Sequence, residues 1–273
     1  MRNRETETIS SLSYLRTLPK TRWAWEFLRR NPAYESDYAR HMEGALSRIN
    51  SHDGLELLKL KRPEPEAEKW GLLFFASPNQ TALTGPVFWC ESVSPQVITV
   101  EAQPLNGSES KGMFDRLFDL ALFGSKRIHL TDASGNEHVL IQRGHRVVQM
   151  RCRGHTLLDG DVKLRFLLDG FGHIDAKFAT IKRLAKLYDQ HTGNLAVESN
   201  WSASTASLRD ALIALDVYQA GHGYRETAIA IYGEEAASER FADPDKSMKN
   251  RMVRARKKGI ELMEGGYLNL MKA

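Results

Sequence analysis

Lys246-Ser-Met-Lys-Asn-Arg-Met-Val-Arg-Ala-Arg-Lys-Lys258 carries seven basic side chains and no acidic one. On a wheel of about 100° per residue, Met248, Met252 and Ala255, continued by Gly259 and Leu262, share one narrow stripe. The segment therefore reads as a helix with an apolar underside. The opposite side presents Lys246, Asn250, Val253, Arg254 and Lys257. Lys249 and Arg256 lie on one flank, Arg251 and Lys258 on the other. Asp243 and Pro244 offer an N-cap and a first-turn proline for a helix running to about Glu264. Such an element suits the DNA major groove. Arg254 or Lys246 could address guanine, Asn250 adenine and Val253 a thymine methyl, with the flanking cations beside the phosphates. The basic part, about 20 Å long, is sufficient to lie along the groove. The competing readings are RNA binding and a basic helix used for protein contacts.

Upstream, Tyr224, Ala228, Ile231 and Tyr232 mark one amphipathic helix closed by Gly233. Leu208, Ala211, Leu212, Leu215 and Tyr218 mark another, ended by Gly221 to Gly223. Ser207-Leu-Arg-Asp210 is an acceptable capping box for the latter. The stretch Glu234 to Ala242 reads as an acidic loop, longer than the turn of a compact helix-turn-helix, and its Glu234, Glu235 and Glu239 would repel DNA if they pointed toward it. Earlier still, Phe178, Ile181, Ala185 and Tyr188 keep the spacing of one buried helix face over 175–190.

From Lys69 to about Gly170 short apolar runs alternate with turn residues. Leu72 to Phe75, Val87 to Trp89, Val97 to Val100, His138 to Ile141, Val147 to Cys152 and Val162 to Leu168 read as strands, and Met113 to Phe123 as a helix. Pro63 to Glu68 reads as a stiff acidic linker. In the N-terminal region Trp23 with Phe27 and Tyr34 with Tyr38 each share a helix face, separated by the Asn31-Pro32 stop and restart. These aromatics read as the core of a small helical unit rather than a docking surface. The expected architecture is α+β: an N-terminal helical unit (1–62), a small mixed β-rich domain (69–170) and an all-helical C-terminal helix-turn-helix variant (171–273).

The whole chain of 273 residues has a net charge of +4 and 42% hydrophobic residues, an ordinary globular composition. That charge is unevenly placed. Residues 63–245 hold 18 basic against 24 acidic side chains, so a mildly acidic body carries one concentrated basic element. Cys90 and Cys152 belong to no C-x-x-C pair, and no apolar run approaches the ~18 residues of a spanning helix. A cytoplasmic protein without membrane association is expected. His129, His138, His145 and His155 show no ligand spacing, Gly170-Phe-Gly172 is only a fragment of a nucleotide loop, and no G-x-S-x-G elbow occurs. An enzyme is the weakest class, and neither a cofactor nor a metal is expected.

The segments Trp23 to Tyr34 with Asp37-Tyr38, Trp70 to Phe75, Pro86 to Trp89, Tyr224 to Gly233, Lys246 to Arg251 and Gly265 to Leu270 resemble a proteobacterial regulator family, the FseA-like excision activators of integrative and conjugative elements. Its members pair a transcriptional regulator-like N-terminal domain with a variant helix-turn-helix. The resemblance implies an activator acting at the promoter of an excision factor and held in check by a small antiactivator. It also implies a DNA-contacting helix at 246–258. Thr227 stands where the family usually has an aliphatic residue. Expected partners are thus a duplex promoter site, with RNA polymerase and the antiactivator alongside. A homodimer would suit a palindromic operator, and Met113 to Phe123 is the only segment offered for its interface. The alternative function is a protein-binding module that titrates another regulator without touching DNA, resting on the aromatic N-terminus and the acidic loop.

Overall fold

The computed structural model describes residues 13–41, 44–50, 54–104, 117–124, 126–144, 146–189, 200–241 and 247–272. Helices α1 (Lys20–Leu28), α2 (Pro32–His41) and α3 (Pro65–Glu68) come first, with strands β1 (Leu46–Asn50) and β2 (Leu55–Leu60) between the last two. Strands β3 (Val97–Pro104), β4 (Lys126–Thr131), β5 (Glu137–Arg143), β6 (Arg146–Gly154) and β7 (Val162–Leu167) follow. The chain ends in α4 (Ile174–Asp189), α5 (Ala203–Gln219), α6 (Tyr224–Tyr232), α7 (Glu234–Phe241), α8 (Ser247–Glu261) and α9 (Tyr267–Lys272). The architecture is α+β and divides into two compact units. One comprises Met1–Pro32 with Ala196–Leu270, the other Ala33–Leu195 with Met271–Ala273.

The second unit is built on a mixed seven-stranded sheet in the order β1-β2-β4-β5-β6-β3-β7. Alternation of side chains along each strand gives it two apolar faces. One gathers Val100, Val139, Ile141, Val148 and Met150 under Leu184 and Leu187 of α4. The other gathers Leu58, Leu60, Ile128, Leu130 and Leu140 under Phe74 and Phe88. Strand β4 was hidden in the sequence by Arg127 and His129, which alternate with its apolar residues. Both are buried with partners: the Arg127 guanidinium donates to the Leu120 and Ala121 carbonyls at 3.1 Å, and His129 lies 3.1 Å from Glu137.

Several expectations need correcting in this unit. Leu72 to Phe75 and Val87 to Trp89 are not strands. They meet in a single Leu72–Trp89 bridge and cover the sheet instead. Of Met113 to Phe123, residues 113–116 lie outside the described residues. The rest is no α-helix: Phe118 bridges Val162, and Leu120–Leu122 form a 3-10 turn capped by Asp119. The proposed linker folds into α3, with Glu64 and Ala67 buried. On α4 the buried face is Thr180, Leu184 and Leu187, which leaves Phe178 43% exposed.

Among the described residues the first unit is all-helical. Trp23, Trp25, Phe27 and Leu28 of α1 are fully buried, as are Ala211, Leu212, Ala214 and Leu215 of α5, so the N-terminal aromatics form core together with the C-terminal helices rather than with a small unit of their own. Tyr34 belongs to the sheet unit, where its hydroxyl donates to the Ala76 carbonyl at 2.6 Å. Charged groups are buried in the first unit too. Arg30 reaches Asp216 through two bonds of 2.6 and 2.9 Å, and the carboxylate and the backbone carbonyl of Glu26 at 2.8 Å each. Arg29 and Tyr14 also bind Glu26. Asn31 donates to the Met263 carbonyl, and Gln219 to that of Arg30. These contacts tie α1 to α5 and to the Leu262–Gly266 turn that follows α8.

Candidate nucleic-acid interface

Helix α5 begins earlier than the Ser207 capping box would place it. Ser202 is the N-cap, its hydroxyl accepting from the Thr205 amide at 3.2 Å, which adds a turn that carries no apolar periodicity. A left-handed Gly221 (φ 83) then ends the helix, and the Gly223 amide donates to Glu226 at the start of α6. Thr227 is fully buried in α6, and its hydroxyl donates to the Gly223 carbonyl at 2.9 Å. The polar atom is thereby satisfied within its own helix, and the position packs as an aliphatic one would.

Gly233 (φ 84) closes α6, and the expected acidic loop is a helix, α7. Glu234 and Glu235 occupy its first turn, where the amide dipoles favour negative charge. Ala237 is its buried contact, and Arg225 reaches Ser238 across the α6–α7 turn. A single buried alanine among glutamates leaves almost no periodic signal, which is why the sequence reads as a loop. Glu234, Glu235 and Glu239 are exposed.

Helix α8 packs lengthwise on α5. Met248, Met252, Gly259 and Leu262 are buried and Ala255 half-buried, as the apolar stripe predicts. The packing is close enough to need glycine: a Cβ at Gly259 would lie 2.4 Å from the Ala211 carbonyl oxygen. The outward side presents Lys249, Asn250, Val253, Arg254 and Lys257, all exposed. Among the described residues none of these five has a hydrogen bond or ion-pair partner. Lys246 lies outside the described residues.

The flanks differ from this free stripe. Arg251 donates to Asp210 of α5 at 3.2 Å and lies over the Tyr232 ring at 5.1 Å. Arg256 stacks on Tyr224 (3.9 Å) and Tyr218 (5.1 Å) and donates to the His222 carbonyl at 3.1 Å. Lys258 donates to Ser207 at 3.0 Å. Asp210 is itself buried, with Arg209 on one carboxylate oxygen and Arg251 and Tyr232 on the other. Burial, with this carboxylate beside it, pushes the Tyr232 phenol up to about 12. Nothing in the sequence around Arg251, Arg256 or Lys258 marks them as tethered, because their hydrogen-bond partners lie 34 to 51 residues away.

Comparison with known families places a class of protein on this geometry: one segment is similar to a family of DNA-binding domains and the other to a domain of transcriptional regulators. Residues 168–272 match the family described as "T6SS, Transcription factor, DNA binding domain", and residues 8–75 match the "Proteobacterial transcriptional regulator-like domain". Together they support a DNA-binding transcriptional regulator, a description that names no catalytic function. The first match contains the whole of α8. The second runs across the boundary between the two units at Pro32. A comparison with curated proteins finds no match. Among the described residues no helix is long and apolar enough to cross a membrane.

Proposed function

We propose that this regulator binds duplex DNA through the outward face of α8, in the manner of a helix-turn-helix variant, with Lys249, Asn250, Val253, Arg254 and Lys257 entering the major groove and Lys246 joining them by its place in the sequence pattern. The observation that carries the reading is the free stripe itself. Five exposed side chains with base- or phosphate-binding chemistry stand unpartnered on a helix whose underside is buried, and a DNA-binding family match covers that helix. Arg251, Arg256 and Lys258 complete the basic set on the flanks. Charge reversal in the double variant Arg254→Glu, Lys257→Glu is expected to abolish the shift of duplex DNA in a gel assay, and unchanged affinity would remove the reading. Log affinity should fall against log salt with a slope of order -5 for about six phosphate contacts.

The finer role rests on the resemblance of the motifs to FseA-like regulators: activation of excision and transfer genes of an integrative and conjugative element, in concert with RNA polymerase and under the control of a small antiactivator. Mapping bound genomic fragments, with and without the basic helix, tests the target genes. The titrating-module alternative draws on the aromatic N-terminus and the acidic segment: Trp23, Trp25, Phe27 and Tyr34 are buried, while Glu234, Glu235 and Glu239 are exposed on α7. Within the segment suggested for a dimer interface, Met113 to Phe123, Leu117, Phe118, Leu120 and Phe123 are buried and Leu122 is exposed.

A further inference from the structure

We infer that Asp210 is a positioning residue for the DNA-contacting helix: it withholds Arg251 from the phosphate backbone and uses it as a strut that fixes α8 against α5 and α6. The inference rests on the reading of α8 as the element that meets duplex DNA. Arg251 directly follows Asn250 and stands one turn before Arg254, and its side chain is 53% exposed, so position alone would make it a phosphate ligand. Its guanidinium is instead 3.2 Å from the Asp210 carboxylate, whose side chain is only 7% exposed. That carboxylate collects groups from all three helices of the site. Arg209 of α5 donates to one oxygen at 3.0 and 2.6 Å, while Arg251 of α8 and the Tyr232 hydroxyl of α6 approach the other at 3.2 and 3.3 Å. Taking a cationic partner from a buried carboxylate costs more than taking one from an exposed carboxylate. To contact a phosphate, Arg251 would have to leave one Asp210 oxygen with the Tyr232 hydroxyl alone, Arg209 holding the other, whereas Arg254 and Lys257 have nothing to give up.

Two consequences follow for binding. The tether sets the orientation of α8 relative to the two helices beneath it, and with it the angle at which the free stripe is presented. It also removes one cation from the sequence-independent electrostatic attraction, so that a larger share of the affinity comes from base contacts. Asp210 therefore acts on specificity through Arg251, without touching DNA.

The salt dependence of binding separates a strut from a phosphate ligand, because each phosphate contact contributes about 0.9 to the slope of log affinity against log salt. The experiment uses the full chain and a fluorescent random-sequence 30-base-pair duplex, read by anisotropy between 50 and 250 mM salt. Arg254→Gln should make the slope shallower by about 0.9, roughly a fourfold difference over that range. Arg251→Gln should leave the slope as in the wild type. Asp210→Asn should steepen it by about 0.9 and tighten non-specific binding at low salt, because Arg251 is released to the backbone. Adding Arg251→Gln to Asp210→Asn should return the slope to the wild-type value. A shallower slope for Arg251→Gln alone, or an unchanged slope for a folded Asp210→Asn variant, overturns the inference. Should Asp210→Asn lose its helical circular dichroism, the single Arg251→Gln variant decides. A flat salt response of the wild type overturns the reading of α8 as well, an outcome distinct from a shallow Arg251→Gln slope, which sinks the strut alone.

Discussion

Replacing Gly259 by alanine should destabilise the helical unit by about 2 kcal/mol, although in an open helix the same change is worth about 1 kcal/mol in the favourable direction. The reason is the closeness of α8 to α5. A new Cβ would sit 2.4 Å from the Ala211 carbonyl oxygen and 3.1 Å from the Leu215 Cβ. The first of these is backbone, so no rotamer change relieves it. Bringing that contact to an ordinary 3.4 Å requires α8 to move off α5 by about 1 Å, and overpacking of this kind costs about 1–3 kcal/mol. Taking the upper end for a clash with a fixed carbonyl and subtracting the gain in helix propensity leaves about 2 kcal/mol. Urea denaturation followed by far-ultraviolet circular dichroism measures it as a lower midpoint at unchanged slope. The control is Gly172→Ala, where a Cβ meets nothing within 4 Å and no comparable loss is expected. If Gly259→Ala is as stable as the wild type or more so, the close approach of the two helices is wrong, and so is the geometry that presents the free stripe.

Asp216→Asn removes one partner of the buried Arg30 guanidinium, whose charge is held by Asp216 and Glu26 against the cost of burial, and should cost about 3 kcal/mol in the same melts. A loss below about 1 kcal/mol would mean that solvent screens the pair. Thr227→Val should change stability by less than about 1 kcal/mol, because the hydroxyl bonds only within its own helix and the volume is conserved. A larger loss would reveal a further role for that hydroxyl. The sheet unit should lose stability on acidification. Burial lowers the His138 pKa from 6.5, only partly offset by Asp132. Burial would raise the Asp132 and Glu137 carboxyls, yet hydrogen bonds from Asn136 and His138 to the one, and from His129, Thr156 and Leu157 to the other, hold both below their ordinary values. In all three cases the unfolded chain takes up protons at a higher pH than the folded one, so stability rises with pH. The melting temperature should fall first below about pH 6.5 and again through the carboxylate range, and His138→Asn should remove the first step. A melting temperature that rises toward acid would refute this.

The apolar stripe of α8 was legible because a helix writes its buried face at a fixed period, and Met248, Met252 and Gly259 all lie within one element, with Leu262 directly after it. The same holds for α6, bounded by glycines that the chain needs for its turns. What stayed hidden depends on partners distant in the chain. Glu26 and Arg30 are buried with no mark of it in the local sequence, because Arg30 meets a carboxylate 186 residues further on. Leu72 to Phe75 read as a strand because apolar runs that cover a sheet and those that lie within one look alike until the ladder is known. The helical wheel divided the nine site residues into an outward side and two flanks, but only the fold shows that Arg251, Arg256 and Lys258 are tethered while Lys249 stands free with the outward stripe.

The pairing of Met1–Pro32 with Ala196–Leu270 means that the sheet-bearing unit is inserted into the helical one. On a ribosome adding about 5–20 residues per second, α1 would emerge ahead of the sheet, and Arg30 would wait on the order of 9–37 s for the chain to reach Asp216, 186 residues further on. Through that interval three large aromatic side chains and a guanidinium destined for the interior stand in water. Slowing translation within the insert should therefore raise the demand for chaperones on this chain, and a circular permutant that begins at Ala33 and rejoins the old ends should shorten the wait.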